Sequence, residues 1–363
     1  MASHPTIGVE EEFLLVDPDT GEPVACNEQV AAHAAEHGVK LQLELTSCQI
    51  ETTSEVVGGS AELRDQLTRL RRITAEAAQA SGAQLLAVGL PPAVPHEFPI
   101  TDTPRYREIA EKFGMIAHEQ GVCGCHVHVA MPSREIAIRV SNRLRPWLPL
   151  LLALTANSAI YRNTDTGYAS FRSILWARLP SAGPPPQFDS IDEYDAVVKM
   201  LHEAGVVLDD GMIYWDVRPS ANFPTIEVRV ADVPATVGET VLLATLIRAC
   251  VMTALDDERR GEPIVPLAPH ALKAAYWRSA RDGLAGQAID LESHQPVPTR
   301  MLLDRLVNRV RPALEAVGDY ELVRGELDRI VEQGNGAMRQ RRAFAARGQV
   351  ADVIAEAATA TLA

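Results

Sequence analysis

The sequence predicts an α+β protein built around an antiparallel sheet, with one face open to a cleft and helices packed on the other. Strand-like segments are separated by long helical stretches, and several of these strands carry polar residues at alternate positions. A parallel sheet covered on both faces would instead show uninterrupted Val and Ile runs. Of the 363 residues, 47% are hydrophobic, which is enough for a substantial core, and we expect a single domain over residues 1–363.

Strands and helices alternate in the first part of the chain. The predicted strands lie at residues 6–16, 84–89 and 121–131, with two more within residues 41–53. Apolar residues at helical spacing predict a helix at residues 60–81. Pro104 favours the start of a helix that runs to about residue 119. Ser133 is a good N-cap for a long helix that runs to about residue 157 and contains Pro146.

The second part of the chain is mainly helical. We expect helices at residues 191–204 and 234–259, on either side of a strand pair at 212–217 and 225–230. The pattern is helical from about residue 266, with breaks at 283–295 and near 334–336. The loops at 91–99 and 181–187 could cover a cleft or form surface turns.

The charge balance argues against two classes of partner. With 34 basic and 48 acidic residues the net charge is −14, which disfavours both sequence-independent nucleic-acid binding and docking on an anionic membrane. The longest apolar stretch, at about residues 148–156, is too short to span a bilayer, and residues 1–13 show no signal-peptide pattern. Five cysteines without the spacing of a secreted scaffold complete the expectation of a cytoplasmic protein.

Acidic residues alternate along the first predicted strand. Side chains on a strand alternate between its faces, so Glu10 and Glu12 share one face and Glu11 points to the other. For this segment alone, an edge strand that carries charges against aggregation remains an alternative.

A second acidic pair requires a bend in the chain. Glu44 and Glu51 are seven residues apart, so they face opposite sides of an unbroken strand. They can share one cleft only if the chain bends or bulges between them, and residues 46–48 are the expected place. Cys48 at this bend is interpreted as a buried, inert thiol.

Two further strands carry polar side chains on one face. His126 and His128 share a face of one strand, and Glu227 shares a face of another with Arg229. A zinc site is disfavoured, because the neighbouring Cys123 and Cys125 face away from the histidines.

Several carboxylates in one cleft repel one another, so their negative charge must be neutralised. Two like charges about 4 Å apart repel by roughly 4 kcal/mol at an effective dielectric constant of 20. Divalent cations remove this repulsion, and oxygen ligands with an occasional imidazole suit Mg²⁺ or Mn²⁺.

Neither a phosphate-binding loop nor a dinucleotide-binding turn is found in the sequence. Metal ions and arginines would therefore have to hold the phosphates of a nucleotide. The candidate arginines are Arg162, Arg172, Arg178, Arg218 and Arg229, with Arg339, Arg341 and Arg342 near a predicted helix start. A surface or structural ion pair is the alternative for each of them, and we favour it for Arg178 and the three C-terminal arginines.

Taken together, these motifs resemble the glutamate–cysteine ligase superfamily, and more narrowly its bacterial YbdK-type carboxylate–amine ligases (glutamate–cysteine ligase type 2). The resemblance runs from about Thr6 to at least Arg342. It rests on residues 8–13 (GVEEEF), 44–51, 124–128 (GCHVH), 162–168 and 226–229 (IEVR). It implies a glutamine-synthetase-like fold, in which an antiparallel sheet curls into a funnel that holds ATP and Mg²⁺ or Mn²⁺ ions.

The resemblance also assigns roles to individual residues. It implies metal ligation by Glu10, Glu12, Glu44, Glu51, His126 and Glu227. Arg229 would contact the transferred phosphoryl group, with Glu227 as its catalytic neighbour, and Arg162 would hold the amino-acid substrate. We add Tyr168 and Arg172 to the substrate-binding set, and Arg218 and Arg339 to the ATP-binding set with Arg229.

The implied activity is an ATP-dependent carboxylate–amine ligase that works through an acyl phosphate. The acid would be glutamate or a similar amino acid, and the acceptor would be cysteine or another amine. A small-molecule phosphotransferase of the same superfold and a non-catalytic ATP- or metal-binding protein are the alternatives. The apolar helices at 134–157 and 234–255 could be core or a homodimer surface, and we favour core.

Overall fold

An antiparallel sheet of seven strands forms the centre of the fold. The computed structural model describes residues 4–94, 98–119 and 121–363. Among these residues the strands are β1 (Ile7–Val16), β2 (Gln42–Leu43), β3 (Gln49–Thr53), β4 (Gln84–Leu86), β5 (Gly124–Ala130), β6 (Ile160–Tyr161), β7 (Thr164–Asp165), β8 (Val217–Pro219), β9 (Thr225–Asp232), β10 (Gln287–Asp290) and β11 (Gln295–Pro298). The main sheet has the order β2-β3-β1-β5-β9-β8, with β4 paired to β1, and every pair in it is antiparallel. The predicted α+β class is confirmed.

The helices follow one another with few strands between them in the second half. They are α1 (Asn27–Glu36), α2 (Ser60–Ala80), α3 (Pro104–Phe113), α4 (Met115–His118), α5 (Arg134–Leu144), α6 (Leu148–Thr155), α7 (Phe171–Trp176), α8 (Ile191–Glu203), α9 (Val237–Arg259), α10 (Pro269–Asp282), α11 (Thr299–Val317), α12 (Tyr320–Gln333), α13 (Gly336–Arg347) and α14 (Val350–Thr361). From residue 269 onward the described chain is helical except for the β10–β11 hairpin and short connections, as the pattern predicted.

One face of the sheet is apolar and covered by helices. The side chains of Ile7, Val9, Val127 and Val228 are at most 1% exposed and pack in one cluster with residues of α5, α6 and α9 to α12. By length and composition α9 could span a membrane, but 89% of its most apolar window is buried inside the protein. This helix is therefore the central element of the core, as favoured from the sequence.

The register of the ladder brings polar side chains of the opposite face together. Glu10 pairs with His126 across β1 and β5, and His128 pairs with Glu227 across β5 and β9. Glu12 lies opposite Glu51 across β1 and β3. Because side chains alternate along a strand, these pairs share one face. The fold thus places one row of charges across four strands.

Two predicted helices are interrupted. The helix expected from Ser133 ends at Leu144 and resumes at Leu148, because Pro146 lacks the N–H that an uninterrupted helix requires. The Arg145 side chain also donates to the Pro185 carbonyl oxygen, at 3.1 Å, which holds the chain at this break. The helix expected at 104–119 divides at Gly114, whose positive φ of 53° suits glycine.

Some predicted strand boundaries are also wrong. Residues 210–212 form a 3-10 turn, so the strand expected at 212–217 is confined to Val217–Pro219. The strand expected at 84–89 ends at Leu86. The predicted break at 283–295 contains most of the β10–β11 hairpin.

Candidate active site

A cleft of about 240 Å³ lies over the polar face of the sheet. All six of the predicted metal ligands line it: Glu10, Glu12, Glu44, Glu51, His126 and Glu227. Their ligand atoms form three overlapping groups, and within each group all atoms lie within 4.8 Å of one another. The groups are Glu10 with Glu51 and His126, Glu10 with His128 and Glu227, and Glu12 with Glu44 and Glu51.

Glu10 lies between the two histidines of β5. Its Oε2 is 3.1 Å from His126 Nδ1, and its Oε1 is 3.4 Å from His128 Nε2. Burial raises the pKa of Glu10, but its interactions with His126 and His128 outweigh this effect and lower it. His128 Nε2 is buried and has no hydrogen-bond partner among the described residues, whereas its Nδ1 is 2.9 Å from Thr225 Oγ1. This nitrogen faces the Glu10 carboxylate without a hydrogen bond and is free to serve as a ligand atom.

Glu12, Glu44 and Glu51 crowd the other end of this row. Burial, followed by the charge of Glu12, raises the pKa of Glu44 to about 8. Burial and the neighbouring Glu44 raise the pKa of Glu51 well above its usual value. Carboxylates placed this close cannot all ionise without a positive partner. A divalent cation would relieve this repulsion.

The predicted bend brings Glu44 and Glu51 into this group. β2 ends at Leu43 and β3 begins at Gln49, so the intervening residues turn the chain as their strand parity required. Thr46 Oγ1 donates to Gln49 Oε1 at 2.7 Å and ties the turn to the next strand. Cys48 is buried, and its pKa is raised to about 12 by burial and by Cys26, which agrees with an inert thiol.

Arginines flank the acidic row at β8 and β9. Arg218 Nε donates to Glu227 Oε2 at 3.0 Å, and Arg229 contacts the other oxygen of the same carboxylate. Burial raises the pKa of Glu227, but the charges of Arg229 and Arg218 outweigh this and hold it well below its usual value. Arg229 Nη1 also lies 3.3 Å from His126 Nδ1. These guanidinium groups reach the same cleft as the acidic groups.

Other predicted site residues lie elsewhere. Arg162 is exposed and 3.6 Å from Glu119, and neither it nor Tyr168 lines the cleft. Tyr168 packs against Phe171 and Trp277.

Arg339 also lies outside the cleft. It is buried on α13, where Nη1 donates to Glu239 at 2.8 Å and to the Gly334 carbonyl oxygen at 2.6 Å. These contacts hold Arg339 away from the lining of the cleft, so its assignment to ATP is not supported by its position. Arg178 pairs with Glu119, at 2.7 Å, as a structural ion pair.

Neither of the two loops suggested as covers lines the cleft in the described residues. The loop at 181–187 packs against residues 212–215, through a hydrogen bond of 2.5 Å from Ser181 Oγ to the Met212 carbonyl oxygen and a bridge between Gly183 and Trp215. The loop at 91–99 includes residues 95–97, which lie outside the described residues.

Aromatic residues that the sequence did not single out complete the cleft. Trp176 and Tyr214 lie with their ring centres 4.7 Å apart, and Tyr106 and Phe223 line other parts of the wall. They come from α3, α7 and loops, where no periodic pattern marks a shared face. Their positions depend on tertiary packing, so no signal in the sequence would have found them.

The comparisons with known proteins identify the family. A sequence profile of glutamate-cysteine ligase family 2 matches residues 6–356. This chain belongs to that family. A relative in Mycolicibacterium vanbaalenii with the provisional name glutamate–cysteine ligase 2-2 is 68% identical over 362 residues, covering 100% of this chain and 99% of the relative. One in Nocardia farcinica, provisionally named glutamate–cysteine ligase 2-1, is 60% identical over 358 residues, or 99% of this chain and 94% of the relative.

Solved structures share the fold of this family member. A bifunctional glutathione synthetase from Pasteurella multocida has a TM-score of 0.71 at 15% identity, over 99% of this chain and 53% of that one. A glutamate–cysteine ligase from Francisella tularensis, in complex with AMP, has a TM-score of 0.69 at 13% identity, over 99% and 88%. At these identities the likeness concerns the fold alone.

Membership of the family makes the protein an ATP-dependent carboxylate–amine ligase. The phosphotransferase and non-catalytic alternatives raised by the sequence are not favoured, since relatives that match over their full length carry ligase names.

Proposed function

We propose that the enzyme activates a substrate carboxylate with ATP as an acyl phosphate and then passes the acyl group to an amine. The observation that carries this proposal is the convergence of Glu10, Glu12, Glu51, His126 and Glu227 beside Arg229 in one cleft. The AMP complex of the Francisella ligase supports an adenine nucleotide as the phosphoryl donor. Glutamate or a similar amino acid is the proposed acid, and cysteine or another amine is the proposed acceptor.

Mg²⁺ or Mn²⁺ fits the donor set of the cleft. The three groups offer carboxylate oxygens, with one imidazole each in two of them. His128 Nε2, which makes no hydrogen bond to the described residues, belongs to the group with Glu10 and Glu227. Burial and the charge of Arg229 lower the pKa of His126, which keeps this imidazole neutral and able to bind a cation. The predicted six ligands would hold the ions, which supply charge neutralisation for the phosphates when bound.

The arginines of the cleft are suited to the negative charge of the phosphoryl group. The Arg229 Nε is buried without a partner among the described residues, so this guanidinium retains a donor for a phosphoryl oxygen. Arg218 holds Glu227 from the opposite side and fixes its orientation. Positioning and charge neutralisation are the main requirements of phosphoryl transfer, and this pair supplies both.

The proposed reaction has two steps. A carboxylate oxygen of the acid attacks the γ-phosphorus of ATP, the bond to the bridging oxygen breaks, and ADP leaves. The amine nitrogen then attacks the acyl carbon, the carbon–oxygen bond to the phosphoryl group breaks, and the nitrogen loses a proton. The released phosphate therefore carries one oxygen of the original carboxylate. The product is an amide.

Isotope transfer tests this chemistry. We expect an ¹⁸O-labelled acid, with Mg-ATP and an amine, to deliver one ¹⁸O atom to each phosphate released, as measured by mass spectrometry. Arg229→Gln should reduce turnover by about 100-fold or more, since it removes a charge that meets the phosphoryl group. Arg178→Gln, outside the cleft, is the matched control and should retain activity. Phosphate without label, or a stable phosphorylated product, would contradict the proposal.

The cellular setting remains part of this proposal. All five cysteines are free and buried, which suits a reducing cytoplasm. The net charge of −14 supports small-molecule rather than nucleic-acid or membrane partners. A homodimer stays a prediction, which sedimentation equilibrium would test: a mass of 39.4 kDa would contradict it.

A further inference from the structure

A second cavity, of about 500 Å³, lies within the helical layer on the apolar side of the sheet. It is surrounded by α5, α6, α9, α10 and α11, and strand β10 and residues 263–267 complete its wall. No described residue lines both this cavity and the catalytic cleft. A volume of this size is typical of sites that hold a small organic molecule.

Apolar side chains in the wall of this cavity are incompletely covered. Trp147, Ile264, Ile289 and Leu302 line it and are only half-buried. Val265, in the irregular segment between α9 and α10, also lines it and is 63% exposed. Single exposed apolar residues are ordinary on a protein surface, but a set gathered around one concavity is typical of a binding site. The wall therefore favours an occupant that is mainly apolar.

One polar atom in the wall lacks a partner. Ser279 on α10 is 0% exposed, and its Oγ makes no hydrogen bond within the part of the chain that the structure describes. Thr253, also in the wall, differs, because its Oγ1 donates to the Ala249 carbonyl oxygen at 2.9 Å. A buried hydroxyl without a partner is costly, so an occupant with an oxygen at this place would be stabilised. Water would satisfy the hydroxyl but leave the apolar wall uncovered.

Charge complementarity favours a neutral occupant. All but one of the charged side chains that line the cavity are paired within the fold. The pairs are Asp290 with Arg305 at 2.9 Å, Asp257 with Arg309 at 2.5 Å and Arg143 with Glu258 at 2.9 Å. The remaining one, Glu292, is exposed to water. An ionic ligand would therefore lose hydration without gaining a buried counter-charge.

We propose that this cavity binds a neutral, mainly apolar small molecule through one oxygen that forms a hydrogen bond with Ser279. The class comprises alcohols, phenols and ketones with an aliphatic or aromatic body, because a serine hydroxyl can donate to a carbonyl or accept from a hydroxyl. The site is separate from the catalytic cleft, so the inference does not depend on the proposed ligase reaction.

Three matched probes test the chemistry of the occupant. 1-Naphthol, naphthalene and 1-naphthoate share one ring system, and their fluorescence measures binding to the full chain at neutral pH. 1-Naphthol should bind about fivefold more tightly than naphthalene, because it gains one hydrogen bond. 1-Naphthoate should bind at least 10-fold more weakly than 1-naphthol, because its charge finds no partner. Equal binding of the three, tighter binding of the anion, or no saturable binding of 1-naphthol up to about 1 mM would overturn the inference.

Two substitutions on α11 locate the probe. Leu302→Trp enlarges a side chain of the cavity wall and should weaken the binding of 1-naphthol at least 10-fold. Met301→Trp is the matched control, because Met301 is 37% exposed and lies outside the wall, and it should leave binding within twofold. Both variants should unfold cooperatively on heating. The same affinity in both variants, or displacement of 1-naphthol by Mn²⁺ and a non-hydrolysable ATP analogue, would place the probe elsewhere and refute the site.

Removing the unpaired hydroxyl tests its contact with the ligand. Ser279→Ala should weaken 1-naphthol about fivefold and leave naphthalene within twofold, whereas a merely structural role would weaken both. Thr253→Val removes a hydroxyl that is already bonded within α9 and should leave both probes within twofold. An unchanged affinity of Ser279→Ala for 1-naphthol would contradict the proposed contact.

A second copy of the chain is the competing occupant of this cavity. Sedimentation run beside the fluorescence titration distinguishes the two, because a small-molecule site should bind 1-naphthol equally well at every protein concentration. Binding that disappears as a dimer forms would assign the cavity to the second copy and overturn the inference.

Discussion

At the scale of single residues, the cleft retains repulsion that a stable fold would avoid. Glu51 is 8% exposed, lies directly across the ladder from Glu12 and touches Glu44. Like charges opposite one another in a sheet are destabilising, and burial increases the cost. This cost falls at the place where, under the proposed function, the carboxylates share a cation.

Removing one of these carboxylates should separate activity from stability. We expect Glu51→Gln to reduce kcat/KM by about 100-fold or more, because a proposed metal ligand is lost, while the metal-free protein melts at the same or a higher temperature. Steady-state ADP release and thermal unfolding in EDTA measure the two effects. Glu55→Gln, at an exposed site nearby, is the control and should change neither. A large loss of metal-free stability in Glu51→Gln would contradict this account.

The raised pKa of Glu44, to about 8, predicts a pH dependence of stability. A carboxyl whose pKa is higher in the folded than in the unfolded state stabilises the fold while it is protonated. That contribution is present below the unfolded value of about 4.5 and is lost as the pH rises towards 8.

Thermal unfolding in EDTA should therefore show a melting temperature that falls between pH 5 and pH 8. Mn²⁺ should reduce this fall, because the cation replaces the proton. Parallel curves with and without Mn²⁺ would contradict a shared site.

At the scale of secondary-structure elements, the alternation of side chains between the faces of a strand could be predicted from the sequence. The packing of short segments against distant parts of the chain could not. The shared face of Glu10 and Glu12, and the bend between Glu44 and Glu51, follow from a period of two that holds in any sheet. The division at Pro146 could also have been predicted, because a proline inside a helix removes a backbone N–H. The position of the second segment follows from tertiary packing, since residues 148–155 are all buried.

The position of the short helix α7 explains why some of the predicted substrate-binding residues line the cleft and others do not. Arg172 and Trp176 reach the cleft because α7 packs near β9 and α10, contacts between segments far apart in the chain. Arg162 and Tyr168, only a few residues earlier, turn away. Local sequence patterns do not indicate which residues in and before α7 face the cleft.

A buried ion pair joins four elements of the fold. Arg71 on α2 is 1% exposed and binds both oxygens of Glu11 on β1, at 2.6 and 3.1 Å. It also donates to the carbonyl oxygens of Pro234, Ala235 and Thr361, which connects the start of α9 and the end of α14 to the sheet. Glu11, which the alternation of side chains places on the face of β1 opposite Glu10 and Glu12, therefore has a structural role.

Breaking this pair should destabilise the whole fold. We expect Arg71→Met to lower the free energy of unfolding by about 3–5 kcal/mol, because Glu11 remains buried and unpaired. Urea denaturation measures the change. The double variant with Glu11→Leu should recover part of the loss, since no lone charge remains. A decrease in the free energy of unfolding of less than about 1 kcal/mol in the single variant would contradict the structural role of this ion pair.

At the scale of the whole molecule, the charge of the cleft governs what can enter it. The protein has a net charge of −14, and five glutamates line the site. An ATP polyanion meets this field unless divalent cations are present. We expect titration calorimetry to show at least 100-fold weaker ATP binding in EDTA than in Mg²⁺. Equal affinities would contradict a site built around cations.

Diffraction at the manganese edge tests the central claim most directly. Crystals grown with Mn²⁺ and a non-hydrolysable ATP analogue should show anomalous peaks among the carboxylates of Glu10, Glu12 and Glu51, next to His126 and Glu227. Peaks that are absent there, or that lie only at the protein surface while the nucleotide is bound, would contradict the account.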